Sequence, residues 1–268
     1  MQLVKIAVPV LAMAAALGVS GCASADRPPA AAETVAAVLA VGGPADYDAL
    51  LHKYVHGEFI DYAGWHANPA DMARFDAFLR WQGDADVKAM TRDEQIAFYV
   101  NAYNACCVKM VLDRYPVHAP VDIDGFFDKI KFRVGGEDLT VSNIEYDRLI
   151  PLKDMRAHFA IVCADRGCPP LANTAYIGAA IDSELDAAAK RFVADKRNLV
   201  VDPAKKEVQI SKLFEWYGKD FAGDPVRPAA KPELYLMNWA EGDAKSVLAA
   251  GNYSVKIIEW SWTLNEKR

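Results

Sequence analysis

The segment Arg156-Ala-His-Phe-Ala-Ile-Val-Cys-Ala-Asp-Arg-Gly-Cys-Pro-Pro-Leu171 constrains the chain more than any other. Phe159 to Val162, with Ala164 just beyond, is a continuous apolar run and reads as a buried central strand. Asp165-Arg166-Gly167 breaks it, and Pro169-Pro170 forbids an immediate return to the ladder. A histidine at the start of the run and two cysteines around a tight polar turn mark the place where chemistry can lie.

A second stretch, Thr91 to Asp113, reads as a long helix that ends before Pro116. Thr91 and Glu94 have the spacing of a capping box, in which each side chain satisfies the other residue's backbone N–H. At 100° per residue, Glu94, Asn101 and Asn104 fall within about 80° of arc, beside Ala97 and Ala105. Such a stripe either faces the His158 segment and shares one pocket with His158 and Cys163, or consists of a cap and two asparagines that bond buried loops. Tyr103, about 160° from Glu94, belongs on the opposite side, in the apolar core or a separate contact.

The remaining elements read in order. Tyr54-Val55 and Phe59-Ile60 are strand-like around Gly57, and Pro69 to Trp81 has helical spacing. Phe132 to Val141 is a hairpin about Gly135-Gly136, and Ser142 with Glu145 forms a second capping box. Ile177 to Ala194 is a helix with Leu185, Ala188 and Phe192 inward, followed by a hairpin of 199–201 with 208–210. Ser211 is placed to cap the helix 213–217, and Ile258, Trp260, Trp262 and Leu264 alternate as a half-buried strand. With 53% hydrophobic and 25% charged residues and one composition regime, the expected architecture is a single α+β domain, a mixed or antiparallel sheet packed against helices, over residues 47–268.

The N-terminus reads as a targeting segment. A short basic start and the apolar run Ile6 to Val19 precede Val19-Ser20-Gly21-Cys22, a sequence that resembles a bacterial lipobox. Residues 1–21 are then a signal peptide, Cys22 carries the lipid, and 22–46 form an Ala/Pro/Gly-rich tether. The absence of Asp after Cys22 points to the outer membrane, facing the periplasm, and the bland alternative is a plain secretory signal cut near Ala23 or Ala25. A net charge of −6 without a basic block excludes nucleic acid as an expected partner. Export leaves Cys106, Cys107, Cys163 and Cys168 in an oxidising compartment, where four cysteines allow three full pairings.

Two motifs, Glu-Gln-x-Ala-Phe-Tyr-Val-Asn-Ala-Tyr-Asn-Ala at 94–105 and His-Phe-Ala-x-Val-Cys-Ala-x-x-Gly-Cys-Pro-Pro-Leu at 158–171, resemble the domain of unknown function 547 family. The glycine hairpin, Trp216-Tyr217 and the Trp262-Thr-Leu-Asn265 tail extend the resemblance over roughly Tyr54 to Asn265. It implies a shared architecture and no established activity.

Three chemistries remain open at the first segment. A thiol hydrolase or transferase would use Cys163 as nucleophile and His158 as base, oriented by Glu94, Asn101 or Asn104, with Arg166 lowering the thiol pKa. In a regular strand, however, His158 and Cys163 point to opposite faces. A Cys163–Cys168 disulfide would instead staple the turn of a non-catalytic envelope module that binds a small molecule, peptide or protein, contributing about 2 kcal/mol. Redox or metal use comes last, because the spacing is not Cys-x-x-Cys and no fourth metal ligand is evident; no cofactor and no metal are expected.

Overall fold

Helix α4, Arg92–Leu112, is the element around which the others pack: 15 of its 21 residues are buried, so it is a core helix and not an amphipathic one. The computed structural model describes residues 43–267. The expected signal peptide, Cys22 and the expected tether as far as residue 42 lie outside the described residues. No helix among the described residues is long and apolar enough to cross a membrane.

The N-terminal elements build one aromatic layer against α4. Helix α1 (Pro44–Tyr54) starts three residues ahead of the expected domain boundary at Tyr47. Strands β1 (Val55–His56) and β2 (Phe59–Ile60) form a hairpin about Gly57, whose φ of 63° favours glycine. Helix α2 (Tyr62–His66) follows, and α3 (Pro69–Asp84) begins at Asn68, whose side chain accepts from the Asp71 N–H at 3.1 Å. Tyr47 stacks on Phe78 and Tyr54 on Trp65, with ring centroids 4.3 and 4.8 Å apart.

Strands β3 (Phe132–Val134) and β4 (Glu137–Leu139) form the expected glycine hairpin, with Gly135 and Gly136 both at positive φ. Helix α5 (Val141–Asn143) continues as a π-helical turn over Ile144–Leu149. Helix α6 (Ile181–Ala194) buries Leu185, Ala188 and Phe192, as its spacing predicts. Strands β5 (Leu199–Asp202) and β6 (Glu207–Ser211) pair antiparallel. Helices α7 (Leu213–Trp216), α8 (Gly218–Ala222) and α9 (Gly242–Ala250) follow, and β7 (Ser254–Ile258) joins β6 in parallel. The architecture is α+β in one domain, with three small sheets among the described residues, two antiparallel and one mixed.

Three local expectations are corrected. The run 158–163 is no strand: Met155–Phe159 is a 3₁₀ turn capped by Asp154, and 160–163 runs without a ladder partner. A short apolar run satisfies a buried loop as readily as a strand, and here a side chain replaces the ladder. Asn104 Nδ2 donates to the Ala160 carbonyl at 3.0 Å, and its Oδ1 accepts from the Val162 N–H at 2.8 Å. The C-terminal strand is Ser254–Ile258, earlier than the Trp260 alternation indicates. Residues 259–265 instead run beside the Asp165 turn, with Arg166 and Gly167 N–H donating to the Thr263 and Ser261 carbonyls. Finally, the second capping box is Thr140 with Asn143, two residues ahead of Ser142 with Glu145, which leaves Glu145 free of any capping duty.

Candidate functional site

A cavity of about 440 Å³ opens between α4, the π-helical turn, the 3₁₀ turn of His158, the Cys163–Cys168 turn, and the segment carrying Trp260 and Trp262. Glu145 and His158 stand at its wall and are 4% and 1% exposed. Glu145 lies in the π-helical turn, a geometry that recurs at functional sites because the extra residue re-aims side chains. His158 is held from two sides of α8: its Nε2 meets Asp220 Oδ2 at 3.1 Å, and the Tyr217 ring packs on the imidazole at 4.2 Å. Tyr217 and Asp220, three residues apart, present ring and carboxylate to the same imidazole.

With Asp220 as an acceptor, Nε2 is assigned the proton and Nδ1 is left as the acceptor nitrogen. Nδ1 faces Glu145 Oε1 at 3.6 Å, within ion-pair range but beyond good hydrogen-bonding distance, and neither buried atom has a hydrogen-bond partner among the described residues. Burial pushes the Glu145 carboxyl above the usual carboxylate range, against the pull of His158 and the Tyr217 hydroxyl. Such a carboxyl keeps its proton to a higher pH than an exposed one does.

The opposite wall is the Cys163–Cys168 turn, organised by Asp165. Its Oδ1 accepts from the Gly167 and Cys168 N–H groups, both at 2.9 Å. Its Oδ2 accepts from the Cys163 thiol and the Trp260 indole, both at 3.2 Å. Gly167 is required for contact: a Cβ there would lie 2.5 Å from the Trp260 ring. Ala164, between Cys163 and Asp165, sits at φ 67°, a strained conformation for a residue with a Cβ.

Both cysteines are free thiols, with sulfurs 2.6 Å apart, so the expected disulfide is not present among the described residues. The Cys163 thiol is held well above its usual range by its hydrogen bond with Cys168, by burial, and by the Asp165 carboxylate. Arg166, expected to lower it, lies over the Phe59 ring at 4.8 Å. Donor atoms of Cys163, Asp165 and Cys168 all lie within 4.8 Å of one another. Two thiolates on one tetrahedral ion stand about 3.8 Å apart, so the sulfurs would have to spread to hold a metal.

His158 and Cys163 thus share one cavity, because the backbone between them is irregular and the face rule of a strand does not apply. The three α4 residues expected beside them lie elsewhere. Glu94 is exposed and closes the capping box, its Oε2 accepting from the Thr91 N–H at 2.7 Å. Asn101 clamps Tyr176, donating to its carbonyl at 2.8 Å and accepting from its N–H at 2.9 Å. Asn104 clamps Ala160 and Val162 as described. The α4 residue that does line the cavity is Tyr103, on the side of the helix opposite Glu94.

Glu145, Asp165, Tyr217, Asp220 and Trp216 were not legible as site residues. The signals available were the competing Thr140–Asn143 cap, which releases Glu145, and the i, i+3 spacing of Tyr217 and Asp220. Comparisons with curated proteins and with solved structures return no match. A match to a family model begins at residue 87 and ends at 193, taking in α4, Glu145, His158, Cys163 and Cys168 but neither Asp220 nor the tryptophans. The family of that model is described as Protein of unknown function, DUF547, and residues 87–193 are similar to it.

Proposed function

We propose that the cavity is the active site of an acid–base hydrolase or transferase. The observation that carries this reading is the pair of buried, unpartnered polar atoms, Glu145 Oε1 and His158 Nδ1, facing each other at 3.6 Å on the cavity wall. An unpaired polar atom of this kind costs about 1–3 kcal/mol, a cost a purely structural pocket has no reason to retain. Glu145 donates a proton to the leaving group of a bound substrate, and His158 Nδ1 takes a proton from the attacking group. Asp220 orients the imidazole and stabilises it when it becomes charged.

A second reading is favoured by Cys163 sharing the cavity: a thiol hydrolase with Cys163 as nucleophile and His158 as base. Its neighbours, a carboxylate and a second thiol, oppose thiolate formation. The close approach of the two sulfurs supports a third role for that wall, a disulfide staple formed under oxidising conditions, which free-thiol counting on the purified protein would test. A panel of chromogenic esters, amides and glycosides tests the first two. Turnover lost in Glu145→Gln and His158→Asn but kept in Cys163→Ser supports acid–base chemistry. Turnover lost in Cys163→Ser and kept in Glu145→Gln transfers the nucleophile to the thiol.

The lipobox-like Val19-Ser20-Gly21-Cys22 supports placing this site on an envelope lipoprotein, anchored through Cys22 and facing the periplasm. Mass spectrometry of the mature N-terminus checks it: an acylated Cys22 is expected, and an unmodified start at Ala23 or beyond overturns it.

A further inference from the structure

We propose that the cavity recognises an organic cation, a substituted ammonium group seated in the corner formed by Trp216, Trp260 and Trp262.

The three indoles line one side of the cavity and touch pairwise, with ring centroids 4.9, 5.9 and 6.0 Å apart. Their planes are inclined to one another by 38–59°, the arrangement of a concave corner and not of a stack. Trp216 and Trp262 remain 42% and 37% exposed, although large aromatic rings usually bury themselves. Trp260 is the fixed member, its indole N–H bonded to Asp165 and its ring seated on Gly167. A rigid, open corner of electron-rich ring faces is a receptor for a cation, since the face of an indole carries negative potential.

Charge makes the same selection independently. No lysine or arginine among the described residues lines the cavity. The titratable groups at its wall are the Glu145 carboxyl, His158, the two thiols and three tyrosines, with the carboxylates of Asp165 and Asp220 directly behind the thiol and the imidazole. An anionic ligand would meet the Glu145 carboxyl, with two further carboxylates behind the wall, and no lysine or arginine at the wall among the described residues. A neutral apolar ligand would leave the buried Glu145 oxygen without a partner. A substituted ammonium ion satisfies both features: ring faces receive its charge, and the carboxylates of Asp165 and Asp220 behind the wall, with the Glu145 oxygen at it, surround that charge with negative potential.

The proposal rests on reading this cavity as the functional site, but not on its acid–base chemistry, so it is tested by binding and not by turnover. Choline, 3,3-dimethylbutan-1-ol and 3,3-dimethylbutanoate share one branched shape and differ in charge. Titrated into the full chain and followed by tryptophan fluorescence and calorimetry, choline is expected to bind saturably. Its affinity should exceed that of the neutral alcohol at least about tenfold, with no binding of the carboxylate. Trp216→Leu/Trp262→Leu, which keeps apolar bulk at two exposed positions, should abolish the preference for the cation while near-UV circular dichroism confirms the fold. Equal affinity for the alcohol, failure of choline to bind, or a preference that survives the double substitution each overturns the proposal. Loss of turnover in Glu145→Gln with the choline preference absent would separate the two readings, keeping the chemistry and discarding the ligand.

Discussion

The two asparagines of α4, Asn104 buried and Asn101 half-buried, and the buried Glu145–His158 pair are polar groups of one protein treated in opposite ways. Asn101 and Asn104 each spend both ends of the amide on one loop, donating to a carbonyl and accepting from an N–H. Glu145 and His158 each retain one atom with no partner among the described residues, and those atoms lie at a cavity. A buried polar group that is fully paired specifies architecture, because any other arrangement of the loop would leave its backbone unsatisfied. One that is left incomplete beside a cavity is available to a ligand. The difference separates the residues that build this molecule from those proposed to act in it.

Removing a clamp should give the largest effect. Asn104→Ala strips partners from two buried backbone groups, Ala160 C=O and Val162 N–H, at about 1–3 kcal/mol each. Urea unfolding should show a loss of about 2–5 kcal/mol. Asn104→Asp should fare little better, since a carboxylate cannot donate to Ala160. A loss below about 1 kcal/mol would mean that the loop finds other partners and that Asn104 is not architectural. Asn101 is only partly buried, so water can replace it, and Asn101→Ala should cost about 0.5–1.5 kcal/mol.

Between these two falls Gly167→Ala, which breaks the cavity side by shape. The added methyl meets the Trp260 ring at 2.5 Å and must displace it or the turn, an overpacking cost of about 1–3 kcal/mol. Because Trp260 contacts both other indoles, its displacement should also shift the intrinsic fluorescence. A stable variant with unchanged emission would show the corner to be softer than its packing indicates.

What was legible follows from which interactions are local. Helices α3, α4 and α6 and the hairpins at Gly57, Gly135-Gly136 and 199–210 follow from periodicity and turn residues acting within a few positions. The helical wheel also placed Tyr103 correctly opposite Glu94; the cavity proved to lie on that other face. The His158 segment was misread because its hydrogen-bond partner is a side chain 58 residues away from Val162, which no local pattern records. The Trp260 segment was misread for a similar reason: its alternation is real, but its backbone partners are the 165–167 turn and not a strand. An exchange of one glutamate for another marks the cavity. Glu94, expected either to cap α4 or to join the site, caps it, and Glu145, expected to cap a helix, stands at the cavity wall.

That exchange yields the smallest effect and the one with a distinctive sign. Both glutamates start from an ordinary carboxyl pKa of 4.5, and the fold moves them apart. The Thr91 N–H and hydroxyl favour the charged form of Glu94 and lower its pKa, whereas burial favours the neutral form of Glu145 and raises it. A lowered pKa contributes stability that is present above 4.5 and lost as pH falls through the folded value, so the window for Glu94 lies on the acid side of 4.5. A raised pKa contributes stability that is present below 4.5 and lost as pH rises through the folded value, so the window for Glu145 lies on the other side. Thermal unfolding across pH should therefore give two opposite differences. The wild type should gain on Glu94→Gln as pH rises toward 4.5 and hold that gain above it. It should lose ground to Glu145→Gln as pH rises beyond 4.5, with the two level in acid apart from a constant offset. Bound choline should shrink the second difference, since a cation beside the carboxyl favours its ionised form against burial and the Asp220 carboxylate. Two differences of the same sign, or a Glu145→Gln difference that does not move with pH, would mean that the carboxyl in the cavity is already ionised and paired, and that Glu145 belongs with the asparagines after all.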